Sequence, residues 1–461
     1  MTGDFDWNLD VLVIGGGGCG LAAAIAARDA GAETAIVEKL ERPGGNTALS
    51  TGSVPGAGSR FQRAAGIADS PEQMIEDYRR KCGDHAMNHL TRLLAHESAP
   101  LVEWLVDAVG ARMSIITDYC HVGHSIPRLH APVSRRGQDL LDDLLAAAER
   151  RGIVLARGNA VRELVTDPDG AVAGAVIETA QGEITRVGAK KTILATNGFA
   201  AKRELVAQFC PEIAAAEYFG ARGSTGEAIL WGQRLGAALA NMGAYQGYAA
   251  VAYPQGQLLS WTTIEKGGVL VDRHGERIGD EGAGYSGFAR NVMAAAGPVH
   301  AIFDERIRAI ADKEEEFHEM MQMGGARRAV SVGELAVAIG VDTDHLSATI
   351  ARYDDAAAGH SADPHGRTAF GIAPLQQPLY GTRVVPGLFH TQGGLLVDEQ
   401  AHVLRADGTI IANLFAGGGA AAGISGSTGG AGYASGNGLL TALGLGRIAG
   451  RTAAAELGAR A

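Results

Sequence analysis

Hydrophobic positions near the start of the chain fall in two short runs. Residues 11–14 (VLVI) and 34–37 (TAIV) have the length and composition of buried parallel strands. Between them, residues 21–29 are alanine-rich and favour a helix. Further along, apolar positions three and four apart predict helices across 71–110 and over 137–152. Short strands follow at 153–156, 171–177 and 183–187, with turn signals at Pro168–Asp169–Gly170 and Gln181–Gly182. Another apolar strand ends in Ala195-Thr196-Asn197-Gly198. From about 241 the pattern changes. Tyrosines gather (Tyr245, Tyr248, Tyr253, Tyr285), and a charged helical stretch, DKEEEFHEMMQM, reads as a solvated face at Glu314–Glu316 with Met320, Met321 and Met323 packing inward.

Glycines give the first segment its chemistry. Gly15, Gly17 and Gly20 form GxGxxG between the first strand and the helix, and Glu38 closes the second strand about 20 positions on, as in a dinucleotide-binding βαβ unit. Gly15 permits the tight turn, Gly17 lets a pyrophosphate approach the backbone, and Gly20 lets helix and strand pack closely. The helix N-terminus offers unpaired N–H groups to phosphate, and Glu38 suits a ribose hydroxyl pair.

The next loop, ERPGGNTALSTGS, resembles the flavin-contacting loop of the fumarate reductase and succinate dehydrogenase flavoprotein superfamily. ATNGFA at 195–200, GSTGEAILWGQRLGA from Gly223, and FHTQGGLLVDEQAHVLRADGTIIANLFAGG near the C-terminus resemble further motifs of that superfamily. The resemblance implies an α/β protein: a Rossmann-like, GR2-type FAD-binding domain over 1–240 and 361–461, with an inserted α+β cap domain over 241–360. It implies FAD held by Gly15, Gly17, Gly20, Glu38, Lys39, Gly45, Asn46, Thr47, Ser50, Thr51, Gly52, Ala195, Thr196, Gly418, Asn437 and Leu439. In the succinate dehydrogenase branch a histidine bonds covalently to FAD; Asn46 stands at that position, so FAD is expected to be non-covalent. Gln392 and Gly419 depart from the family's methionine and glutamate.

Fumarate reductases clamp a dicarboxylate with arginines and histidines, because two carboxylates call for bidentate cations. By motif position those groups are replaced here by Tyr253, Tyr285 and Tyr433, with Ile264 and Trp261 at the proton-relay positions; the histidine survives as His390. The pattern resembles the 3-ketosteroid dehydrogenase branch. That resemblance implies α,β-dehydrogenation of a cyclic ketone, ketosteroid or cyclohexanone-type, by hydride transfer to flavin N5. Tyr285 is then the base for the α-proton. Tyr433 O–H and the Gly436 N–H polarise the ketone, Tyr253 contacts substrate, and His390 assists. Such a base needs its phenolate stabilised by a charge, dipole or hydrogen bond. The modest chain length favours a smaller ring. The alternatives are a reductase running the reverse reaction on an enone, a tricarballylate dehydrogenase-like enzyme, and a non-catalytic flavoprotein.

Composition narrows the rest. Formal net charge is −11, which argues against a general nucleic-acid binder. The acidic start, MTGDFDWNLD, is unlike a secretory signal, and no apolar run has membrane-spanning length, so a cytoplasmic location is expected. The partners are then a small-molecule ketone and an unidentified electron acceptor. Cys19, Cys82, Cys120 and Cys210 are far apart and read as free core residues, with neither zinc nor disulfides. His121, His124 and His130 cluster in CHVGHSIPRLHAP; without neighbouring carboxylates they read as pocket-lining or structural groups, so no metal site is expected.

Overall fold

The computed structural model describes residues 5–117 and 120–458. It divides into two compact units. The first comprises Met1–Cys210, Gly220–Tyr245 and His390–Ala461, and the second Pro211–Phe219 and Gln246–Phe389.

The first unit is built on an eight-stranded sheet. Its central strands are β1 (Trp7–Ile14) and β2 (Thr34–Val37), paired in parallel with Val11 opposite Thr34. On its other side β1 pairs in parallel with strand Ile184–Leu194, and that strand with Ile410–Ala416. Residues 11–14 and most of 34–37 are buried, which is why they read as unbroken apolar runs. The separate strands expected at 183–187 and before Ala195 are one eleven-residue strand. Its middle, GAKK, is too polar to read as a continuous apolar run.

Helix α1 (Gly18–Asp29) packs on the C-terminal helix Asn437–Ala455. A Cβ on Gly446 would lie 2.4 Å from Cys19 O, and one on Gly450 would lie 2.1 Å from Ala23 O. Small residues on both faces therefore let the two backbones touch, and that contact accounts for the alanine-rich composition of α1. Cys19 is buried there, and burial pushes its thiol up to about 12. Cys210 is buried too, but Cys82 is only half-buried and Cys120 is exposed, so the expectation of four core cysteines holds for two. All four are free.

The second unit is larger than the expected 241–360 insertion. It runs to Phe389 and recruits Pro211–Phe219, because Glu217 and Tyr218 pair in parallel with Gly387 and Leu388 of strand Leu379–Thr391. That strand also pairs antiparallel with Val299–Asp304. Val269, Ile302, Leu335, Leu346, Tyr353 and Leu379 form its core. In the charged helix Glu315–Gln322, Met320 is fully buried, whereas Met323 just beyond it is 55% exposed, against the expectation of packing.

Candidate active site

The glycine turn is shaped as the βαβ unit requires. Gly15 has φ +117°, and a Cβ there would stand 2.3 Å from Ala195 O. A Cβ on Gly20 would lie 1.8 Å from Gly15 O, so helix and turn touch backbone to backbone. Gly17 caps α1 without a side-chain partner. Glu38 accepts Gly16 N–H at 2.7 Å on one oxygen and Leu40 N–H at 2.8 Å on the other, which fixes the carboxylate at the end of β2.

The loop after β2 is held by its own polar atoms. Thr47 Oγ1 accepts from Gly18 N at 3.2 Å, Ser50 Oγ donates to Thr47 O and accepts from Gly52 N, and Thr51 bonds Ser53 at 2.9 Å. Gly45 and Gly52 both have positive φ. Asn46 Oδ1 accepts from Ala221 N at 2.7 Å. Lys39 is ion-paired to Glu227 at 2.5 Å and bonded to Thr225, tying the loop to the helix Glu227–Arg234. Ala195 N–H donates to Ile14 O. Two further expected cofactor residues carry buried polar atoms without a protein partner: Thr196 Oγ1 and Asn437 Oδ1. Such atoms cost free energy unless another group satisfies them, and both stand where the sequence places FAD. The residues present fit the cofactor. Gly418, with φ +58°, lies against Cys19, and Leu439 is buried in the helix that Asn437 begins.

At that helix start the two candidate residues of the first unit meet. The His390 and Tyr433 ring centroids are 5.6 Å apart in an edge arrangement. Around a Cβ on Gly438 the three nearest heavy atoms would be His390 Nε2 (3.2 Å), His390 Cε1 and Tyr433 Oη (3.6 Å). Gly436 caps the helix with φ +83°, a conformation that favours glycine. Burial lowers the His390 imidazole to about 4, so it is neutral near pH 7. Gln392 Nε2 lies 3.1 Å from His390 Nδ1, so the departure from methionine gives the histidine a polar neighbour.

In the second unit Tyr285 is the second residue of helix Gly284–Ala294. It packs against Tyr248 (centroids 5.2 Å) and Trp261 (6.4 Å). Tyr248 donates to Leu259 O at 3.0 Å and accepts from Trp261 N at 3.1 Å, and burial raises its phenol well above the usual value. Tyr253, expected to contact substrate, is not in this cluster. It follows Tyr248 by five residues, in the turn just after strand Gly243–Ala252, roughly 16 Å along an extended chain. It is 43% exposed, under the Arg383 guanidinium at 4.4 Å. Tyr248 belonged to the tyrosine cluster in the sequence, where nothing local marked it out from Tyr253.

Among the described residues no His/Cys/Asp/Glu group could hold a metal, and no helix is long and apolar enough to cross a membrane. His124 and His130 are each engaged in hydrogen bonds.

A dinucleotide cradle, a flavin-type loop and a helix aimed from a glycine turn define an FAD-dependent oxidoreductase. Residues 10–439 match the FAD binding domain family, and the chain belongs to it, within the fumarate reductase flavoprotein superfamily. It is 32% identical over 455 residues to the NADH:fumarate oxidoreductase of Klebsiella pneumoniae (strain 342), covering 97% of this chain and 48% of that protein, so it spans about half of that relative's length. It is 26% identical over 548 residues to the 4-oxocyclohexanecarboxylate 2-dehydrogenase of Sinomonas cyclohexanicum, covering 97% of this chain and 93% of that protein. The crystal structure of 3-ketosteroid-Δ4-(5α)-dehydrogenase from Rhodococcus jostii RHA1 superposes with a TM-score of 0.82 at 27% identity, covering 98% of both chains.

Proposed function

We propose that the protein dehydrogenates a cyclic ketone between its α and β carbons. The observation that carries this reading is the pairing of a neutral His390 with Tyr433 at Gly438: the heavy atoms nearest that point are an imidazole and a phenol, groups suited to a neutral carbonyl. FAD, held at the glycine turn and beside Thr196 and Asn437, would supply the acceptor for the hydride equivalent from the β carbon. Tyr433 O–H and the Gly436 N–H donate to the ketone oxygen, so that negative charge developing there is stabilised and the α-proton becomes acidic enough to leave. Tyr285 takes that proton onto its phenolate oxygen. Tyr248 is unsuited to that task, since its hydroxyl already donates to Leu259 O and accepts from Trp261 N. The position of Tyr285 in the first turn of an eleven-residue helix favours a transient anion.

Asn46 offers no imidazole for a covalent link, which supports a non-covalent FAD. The likeness to a 4-oxocyclohexanecarboxylate dehydrogenase and a ketosteroid dehydrogenase supports the ketone reading. The likeness to a fumarate-reducing enzyme supports a second reading, saturation of an enone by the same groups in reverse. The electron acceptor is proposed to be a separate molecule.

Anaerobic titration of the holoprotein with cyclic ketones, and separately with succinate and tricarballylate, tests the reading. Bleaching of the visible flavin absorbance by a ketone is expected. Bleaching by the carboxylates alone overturns it. Reoxidation of chemically reduced protein by the matching enone measures the reverse direction.

A further inference from the structure

The segment CHVGHSIPRLHAP holds three histidines, and the fold gives two of them different work. His130 bonds Ser59 Oγ at 2.9 Å and the Arg128 carbonyl at 3.0 Å, and so braces its own strand. His124 reaches much further along the chain. Its Nε2 is 2.8 Å from the carbonyl oxygen of Ser435, 311 residues away, and its Nδ1 is 3.1 Å from Arg128 Nη1.

A guanidinium can only donate. His124 Nδ1 is therefore the acceptor, the ring proton is on Nε2, and that proton is donated to Ser435 O. Arg128 is itself fixed: two of its nitrogens bond both oxygens of Asp69 at 2.8 and 2.9 Å, and Nη1 bonds Asp77 at 2.7 Å. All three charged side chains are essentially unexposed. Asp77 also accepts from Ser125 N and Ser125 Oγ. Burial, reinforced by the Arg128 charge, lowers His124 to about 4, so the neutral tautomer persists near pH 7. The His124 ring stands edge-on to Tyr78 at 5.7 Å.

The same turn is gripped a second time. Ser435 N–H donates to Val122 O at 2.9 Å, so both backbone groups of Ser435 are tied to residues 122–124. A Cβ on Gly123 would stand 2.4 Å from Ala434 Cβ, which presses the two segments together. Ser435 lies between Tyr433, whose ring meets His390, and Gly436, which caps the C-terminal helix.

We propose that His124 is a positioning residue, supported by Arg128, Asp69 and Asp77, that holds the turn 433–436 so that Tyr433 and the Gly436 N–H face a substrate carbonyl. This assignment of purpose rests on the ketone reading. The clamp acts through the Ser435 carbonyl; His124 itself touches no reacting atom.

The test compares wild type, H124F and H124Q as full-length holoproteins. Glutamine keeps an N–H able to reach Ser435 O; phenylalanine keeps the ring and loses the donor. FAD content and Tm are measured first, and H124M replaces H124F if the latter fails to retain FAD. Amide hydrogen exchange across 433–437, in apoprotein and holoprotein, is expected to accelerate about tenfold in H124F, as for loss of one buried hydrogen bond. kcat/KM for the ketone that bleaches wild type is expected to fall about tenfold, with kcat falling as well, and H124Q is expected to recover both to within about threefold. Unchanged exchange in H124F overturns the clamp, as does H124Q behaving like H124F. If exchange changes but kcat/KM does not, the role in presenting donors to the carbonyl is overturned. If no ketone bleaches wild type, the ketone reading fails, while the exchange data still decide whether His124 holds the turn.

Discussion

The two units place their candidate tyrosines by different physics. In the first, Tyr433 stands in a stretch of glycine, alanine and serine, and its setting is backbone. Ser435 is tied at both its N–H and C=O, Gly436 is in the left-handed region, and a helix begins at Asn437. In the second, Tyr285 sits among rings: Tyr248, Trp261 and, through them, Phe288 and Phe389. A hydrogen-bonded turn fixes a donor's direction closely, as polarising a carbonyl requires. An aromatic cage fixes position and excludes water with looser control of direction, which suffices for a group that accepts a proton. The glycine-rich stretch 416–438 could pass for a linker by composition, yet most of it is buried.

Substitutions can break this contrast. The largest effect is expected for Tyr285→Phe, which removes the proposed base and should lower kcat on the ketone by about 10³-fold. Stopped-flow reduction of the flavin measures it, and full turnover by the variant would remove Tyr285 from the mechanism. Tyr433→Phe deletes one donor to the developing oxyanion and should lower kcat/KM by about 10²-fold, with FAD content unchanged.

Acid should separate the units. His124, His130 and His390 in the first unit are depressed to about 4 against an unfolded value near 6.5, whereas the second unit has one such histidine, His300. Between those pH values the unfolded state binds protons that the folded state does not. Stability is therefore intact above about pH 6.5 and is lost progressively as pH falls towards 4, by up to about 1.4 kcal/mol per pH unit for each histidine. Tm against pH, with hydrogen exchange resolved by unit, should show the first unit loosening first.

A smaller effect is expected for Tyr248→Phe, which leaves the Leu259 carbonyl and Trp261 N–H unpaired. It should cost about 1–3 kcal/mol in stability by denaturant titration, with less effect on chemistry than Tyr285→Phe. Tyr253→Phe should be nearly silent, within about threefold in kcat/KM, because the ring lies exposed beneath Arg383.

The nucleotide half of the protein was readable because its determinants are contiguous. The turn at Gly15, the approach at Gly20 and the acid at Glu38 all lie in one βαβ unit, where spacing fixes geometry. The position of Tyr433 just before the SGNG helix start was also readable, but not its meeting with His390. The second unit was less so. Its boundary at Phe389 depends on the pairing of residues 217–218 with 387–388, which no local pattern announces.

The sequence by itself determined the cofactor class and the parallel core. These follow from residue type and short-range spacing. Tertiary structure alone decided which groups meet. It chose Tyr248 over Tyr253 as the neighbour of Tyr285: Tyr248 lies inside strand Gly243–Ala252, and Tyr253 in the turn beyond it. It joined His390 to Tyr433, and bound His124 to Ser435 across the length of the chain. Those encounters depend on strand register and on where loops close, and both are properties of the whole fold.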